Sequence, residues 1–361
     1  MAATNVGSDA NTELYVREAP PELSDSALRA LYDAAAAHLH AATHVFVCSG
    51  AGMSVDSGIP DYRGGPGSVW SQDVARERLY GLTTAERSQA GSWFRRDASA
   101  AWGDMITLAD ELSSKSPHAG YAALARLCVL PAAGFFVLTS NIDELHNRSA
   151  GGGAGARIYA CHGSVFLGDD GKTSHLRVQC SNHGGGCSGP AGGSGVWSVP
   201  RAAFGAVEHA TGRIAASAVP LCSACGKPAR PNLLFFEDEW ANIEAIALRN
   251  AERAAMVQWL RGSTKPGARL VVLEIGAGDA VKTVRNRAHA AHADALAAGA
   301  SSLMIRINKF QSALEASARC PPETFLALPT SAVDALCEIE TRVSARRAAA
   351  GAASAGNDAA P

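Results

Sequence analysis

The apolar run Val45-Phe46-Val47-Cys48 passes directly into Ser49-Gly50-Ala51-Gly52, so a buried strand must end here in a loop whose backbone approaches a neighbour closely. Gly50 and Gly52 remove the Cβ atoms that would hold main-chain amides away from a phosphate, and Ser54 and Asp56 are placed to cap a following helix. A tight turn between strand and helix is the plainer reading of the same glycines. The continuation Ser57-Gly58-Ile59-Pro60-Asp61-Tyr62-Arg63-Gly64 adds a rigid turn, a carboxylate, a phenol and a guanidinium, which suits ligand handling.

A chain of 361 residues, 47% hydrophobic and 18% charged, can bury a large core and is expected to form one large domain with a smaller module. Its formal charge of −2 leaves no electrostatic footprint for nucleic acid. The N-terminus shows neither a secretory nor a transit pattern, and no apolar run approaches membrane-spanning length, so an intracellular protein is expected. Nine cysteines, an odd number, argue for reduced thiols and metal ligation over a disulfide framework.

Strand-like runs fall at 44–48, 135–139, 157–161, 232–236, 270–275 and 303–307, with helical spacing at 28–39, 119–127, 243–260 and 288–298. This alternation predicts an α/β fold built on a doubly wound, parallel, Rossmann-like sheet, with ligands at the carboxyl ends of its strands. The expected organisation is an N-terminal tail (1–22), a Rossmann-like domain (23–164 and 231–340) carrying a helical insert (65–117), an inserted metal module (165–230) and a disordered tail (345–361).

Within that module Cys222 and Cys225 stand two residues apart with Gly226 following, the spacing of a zinc knuckle. Cys180 and Cys187 would complete four thiolates around a structural Zn²⁺. The six residues between Cys180 and Cys187 exceed the usual gap and make His183 a competing ligand. The strand 135–139 ends in Ser140-Asn141-Ile142-Asp143, an amide and a carboxylate suited to a ribose or an amide ligand, or to capping the next helix. His162, followed by Gly163 at another strand end, carries a near-neutral base fit to take a proton from a hydroxyl.

In order along residues 25–340, the glycine loop, Asn-Ile-Asp, His-Gly, the paired cysteines, Arg230-Pro231-Asn232 before Leu233-Leu234-Phe235-Phe236, Ile275-Gly276-Ala277-Gly278 and Ile305-Arg306-Ile307-Asn308 resemble the sirtuins. These are NAD-dependent protein deacylases. The resemblance implies that Gly50, Ala51, Gly52 and Ser54, with Asp61, Tyr62 and Arg63 beside them, handle the pyrophosphate side of NAD. Ser140, Asn141, Ile142 and Asp143 would face its nicotinamide ribose, and Gly276, Ala277, Gly278 and Asn308 its adenosine side. Catalysis would fall to His162 and Asn141, with His162 the general base on a ribose hydroxyl. Phe236 would lie where an acyl-lysine peptide adds as a strand, and lysine and O-acyl-ADP-ribose would be released.

Ser140, Gly278 and Glu237-Asp238 depart from the usual family residues and indicate a divergent, microbial-type branch. Two alternatives follow: mono-ADP-ribosyl transfer to protein, or a catalytically weak module that binds NAD or ADP-ribose. A dehydrogenase would want an acidic residue about 20 positions beyond the glycines at the end of a second strand, and Asp73 sits instead in a polar stretch.

Overall fold

The structure, a computed structural model, describes residues 23–61, 74–83, 86–87, 91–129, 134–149, 157–166, 173–182, 186–187, 189–190, 195–235, 250–279, 281–310 and 320–357. Its strands are β1 (His44–Ser49), β2 (Phe135–Thr139), β3 (Ile158–Ala160), β4 (His175–Cys180), β5 (Val196–Pro200), β6 (Ala229–Pro231), β7 (Arg269–Ile275), β8 (Ser301–Ile307) and β9 (Phe325–Leu328). The helices are α1 (Asp25–Ala41), α2 (Val74–Tyr80), α3 (Gly91–Arg96), α4 (Ala98–Ser114), α5 (Ala119–Cys128), α6 (Leu145–Ser149), α7 (Asn250–Ser263), α8 (Thr283–Ala297) and α9 (Ala332–Asn357).

Six strands form one parallel sheet in the order β3-β2-β1-β7-β8-β9. Parallel strands need helices on both faces, which is why β1 and β7 carry apolar runs, Val45 to Cys48 and Leu270 to Leu273, although β7 also buries Glu274. On one face Leu39 of α1, Leu124 of α5 and Leu336 of α9 pack onto Val45, Val271 and Ile305. On the other, Met256 and Trp259 of α7 and Ala288 of α8 cover Phe46, Phe136 and Val272. The doubly wound, Rossmann-like expectation is met. Its switch point lies between β1 and β7, where the chain order turns in opposite directions.

Helix starts follow local chemistry. Ser24 Oγ accepts from Ala27 N at 3.2 Å, Asp97 Oδ1 from Ala100 N at 3.3 Å, and His118 Nδ1 from Gly120 N at 3.0 Å. Among the described residues no helix is long and apolar enough to cross a membrane.

Two expectations need correction. Within the run expected at 232–236, residues 232–235 form no strand of the large sheet: β6 stops at Pro231 and joins the small antiparallel sheet β5-β4-β6, while Leu233 makes an isolated bridge to Gly163. The sixth position goes to β9, four residues close behind Pro321 and Pro322, too short to stand out as a pattern. Residues 243–249 of the helix expected at 243–260 lie outside the described residues, and the remainder is helical within α7. The tail expected to be disordered continues α9 as far as Asn357, in keeping with its alanine and arginine content. That helix is anchored by buried Leu336, Ile339 and Val343 and by Arg342, which pairs with Glu338 one turn back and with Asp33 of α1 at 3.0 Å.

The helical insert and the small sheet share one core. Trp93, Phe94, Trp102 and Ile106 pack with Phe166, Leu176, Val178 and Phe204, and Trp102 Nε1 donates to Ala229 O at 2.8 Å.

Candidate functional site

Two loops cross at the switch point, and glycine is what lets them do so. Gly50 N donates to Ile275 O and Gly52 N to Gly276 O, each at 2.9 Å. A Cβ on Gly52 would stand 2.7 Å from Gly276 Cα, and one on Gly276, which has φ +59°, 2.3 Å from Met53 N. The amides of both glycines hold the crossing, and their absent side chains permit backbone-to-backbone contact. The chain then turns through a 3-10 helix, Ala51–Ser57, with Ala51 half-buried at its start.

Ser54 is a hub rather than a helix cap. It is buried and donates to Asp143 Oδ2 at 2.6 Å, lies 3.0 Å from Tyr121 OH, and accepts from Asn141 Nδ2 at 2.9 Å. Asn141 Nδ2 also donates to Gly50 O at 3.0 Å, tying the end of β2 to the glycine loop. Asp143 does cap α6, since Oδ1 accepts from Leu145 N at 2.9 Å, and its other oxygen joins the Ser54 network. Burial pushes the Asp143 carboxyl above the usual carboxylate range. Asp56 caps elsewhere, accepting from Val333 N at the start of α9.

Ser140 is half-buried and its N–H donates to Ser49 O at 3.1 Å, while Ile142 O accepts from Val165 N and its side chain packs in the insert core. Asp61 is half-buried just past the 3-10 turn. Tyr62, Arg63, His183 and Phe236 lie outside the described residues. On the far side of the crossing Ala277 is buried and its carbonyl accepts from Asn308 Nδ2 at 2.9 Å and from Arg285 at 2.6 Å, with Gly278 following half-buried.

His162 follows β3. Its Nε2 is 3.4 Å from Thr283 Oγ1 at the first turn of α8, and desolvation by burial lowers its pKa to about 4 against the pull of the Ser140 carbonyl. It is thus neutral at pH 7, and burial makes it a weaker base than the near-neutral imidazole expected from the sequence. Gly163 has φ +85°, and a Cβ there would stand 2.2 Å from Asn232 O.

The sequence reading missed His118, Tyr121 and His146 beneath this site. His146 Nε2 bonds Ser49 Oγ at 2.8 Å, His118 Nε2 bonds Met53 O at 2.8 Å, and Tyr121 stacks between both rings. The signals were thin: a histidine after Pro117 at a helix start, and one three residues past Asp143. Equally unforeseen is the buried Glu274, which bonds Arg306 Nε at 2.7 Å and Arg285 Nε at 3.3 Å.

Some distance along the small sheet, Cys180, Cys187, Cys222 and Cys225 bring their sulfurs within 4.8 Å of one another. The separations of 3.5 Å (Cys180–Cys225) and 3.8 Å (Cys187–Cys222) match the edge of about 3.8 Å for a tetrahedron with Zn–S near 2.3 Å. All four thiols are unbridged, and Asn182 N and Gly189 N point at the sulfurs of Cys180 and Cys187. The donor set and spacing fit a zinc ion with no open position.

The family model for the Sir2 family matches residues 50–180. An NAD-dependent protein deacylase of Deinococcus radiodurans is 32% identical over 142 residues, 39% of this chain, which spans about half (54%) of that relative's length. NAD-dependent protein deacylase 2 of Corynebacterium efficiens is 29% identical over 240 residues, covering 64% of this chain and 77% of the relative. A solved Sir2 homologue bound to ADP-ribose shares the fold, with TM-score 0.55 and 17% identity over 91% of this chain and 98% of its own.

Proposed function

We propose that this chain, matched by the Sir2 family model over residues 50–180, is an NAD-dependent protein-lysine deacylase that releases nicotinamide and O-acyl-ADP-ribose. The observation that carries this reading is a neutral, half-buried His162 just past β3, the neighbour in the sheet of β2, whose carboxyl end carries Asn141 and Asp143 and is tied through Ser54 to the glycine loop after β1.

Bound NAD would supply an electrophilic ribose C1′ and a nicotinamide leaving group to an acyl-lysine carbonyl oxygen. The residues of this chain orient and deprotonate. Asn141 and Ser54 fix the loop from Gly50 against the end of β2, and Asp143 forms the buried floor beneath them. Ala51, Ser140, Ile142 and Asp61 would border the pyrophosphate and ribose, and Gly276, Ala277, Gly278 and Asn308 the adenosine side. His162 Nε2, kept neutral by burial, accepts the proton of a ribose hydroxyl. Thiolates of Cys180, Cys187, Cys222 and Cys225 would hold a structural zinc away from this chemistry. We carry forward the division into an NAD domain (23–164 and 231–340) and a metal module (165–230), with the helical insert packed on the module, and assign the protein to a reducing, intracellular compartment.

The test is mass spectrometry of NAD incubated with a panel of acyl-lysine peptides. Deacylated peptide with matching nicotinamide and O-acyl-ADP-ribose is expected. ADP-ribosylated protein as the sole product would move the chain to the transferase reading, and unconsumed NAD that still binds would make it a binding module.

A further inference from the structure

The loop bearing His162 meets the small sheet through a buried pair of amide side chains, beside the backbone contacts of Val165 with Arg177 and of Phe166 with Leu176. Asn232, fully buried, donates from Nδ2 to Gln179 Oε1 at 2.6 Å, and its N–H donates to Arg177 O at 3.0 Å. Gln179 is itself buried and lies next to Cys180 on β4. On the other side of Asn232 the backbone locks onto the histidine. Leu234 N donates to His162 O at 2.9 Å, Leu233 bridges Gly163, and the Asn232 carbonyl sits where a Gly163 Cβ would be. A packed contact that admits no methyl group transmits a small shift instead of absorbing it.

Resting on the deacylase reading of His162, we propose that Asn232, held by Gln179, is a positioning residue that sets the His162 imidazole against Ser140 and Thr283. Gln179 ties this position to the thiolate cluster, one residue away along β4. The strand register sustains the link, with Gln179 opposite Arg230 and Cys180 opposite Ala229. The run 232–234 leaves the small sheet and is diverted to hold the loop of the large one, which explains why it forms no sixth parallel strand.

Two variants test the pair. Asn232→Ala removes the donor, and Gln179→Met removes the acceptor at nearly constant volume, whereas Gln179→Glu keeps an acceptor. In folded, zinc-replete protein, the first two are expected to shift the His162 ring resonances and its titration midpoint in histidine-labelled NMR spectra. They should also lower kcat on an acyl-lysine peptide by roughly 10-fold or more while KM for NAD changes little. Gln179→Glu should recover most of both, and the double variant Gln179→Met with Asn232→Ala should be little worse than either alone.

Unmoved His162 resonances and unchanged kcat in both variants would overturn the proposal. So would variants that lose zinc or fold, since the pair would then support only the module. A wild type that turns over no acyl-peptide, with the His162 shift still present in the variants, would instead remove the deacylase reading and leave the positioning role standing.

Discussion

At the residue scale the structure separates what binds from what only permits. His162→Ala should suppress O-acyl-ADP-ribose formation by about 10²–10⁴-fold while sparing more of the acyl-peptide-dependent nicotinamide exchange, because only the later step needs a base. Equal loss of both would point to misfolding. The low pKa of His162, near 4, also fixes a sign: the acidic limb of kcat/KM should fall toward pH 4 and not near the ordinary histidine value of about 6.5. A limb with its midpoint near 6.5 would contradict the burial described. Gly52→Ala makes a separate prediction. Its Cβ would meet the backbone of Gly276, which cannot rotate away, so destabilisation of about 1–3 kcal/mol is expected in denaturant titrations. Equal midpoints for variant and wild type would show that the crossing is loose.

At the scale of elements, β7, β8 and α8 are joined by charge where aliphatic packing would be usual. Glu274 is fully buried between Arg306 and Arg285, and desolvation lowers the pKa of Arg306 although Glu274 opposes this. Glu274→Ala would remove the buried carboxylate shared by Arg306 and Arg285, leaving Arg285 its contacts with Asp279 and Ala277, and should cost about 3–5 kcal/mol, read by chemical unfolding. A variant as stable as wild type would mean that water already solvates the arginines. Patterning revealed β1, β2, β7 and β8 because buried parallel strands are mostly apolar, and it revealed Cys222 and Cys225 by their knuckle spacing. It could not show Glu274, whose partners are 11 and 32 residues away, nor the pairing of Ser54 with Asp143 across 89 positions. Side-chain hydrogen bonds of that span leave no local period. The run 232–236 misled for a related reason, since its β-rich composition serves a junction between sheets.

For the whole molecule, buried histidines set a pH dependence. His146, His162 and His292 each have a pKa lowered to about 4, chiefly by desolvation. The unfolded chain takes up these protons near pH 6.5 and the folded chain does not, so their contribution holds above about 6.5 and is lost as pH falls toward 4. The raised carboxyl of Asp143 works in the opposite direction. Thermal unfolding midpoints should therefore drop across that window, and less steeply in His146→Asn, whose side chain faces Ser49, Tyr121 and His118. Parallel profiles for variant and wild type would rule out His146 as a source.

The glycine crossing also governs how this chain is made. β1 sits at the centre of the sheet, yet one of its neighbours begins at Arg269, bonded to Thr43 across 226 positions. Contacts so distant in sequence close late. During synthesis the first glycine loop must wait, with β1 open along one edge, until Gly276 has left the ribosome, and until then a nascent chain presents an apolar strand edge to its surroundings.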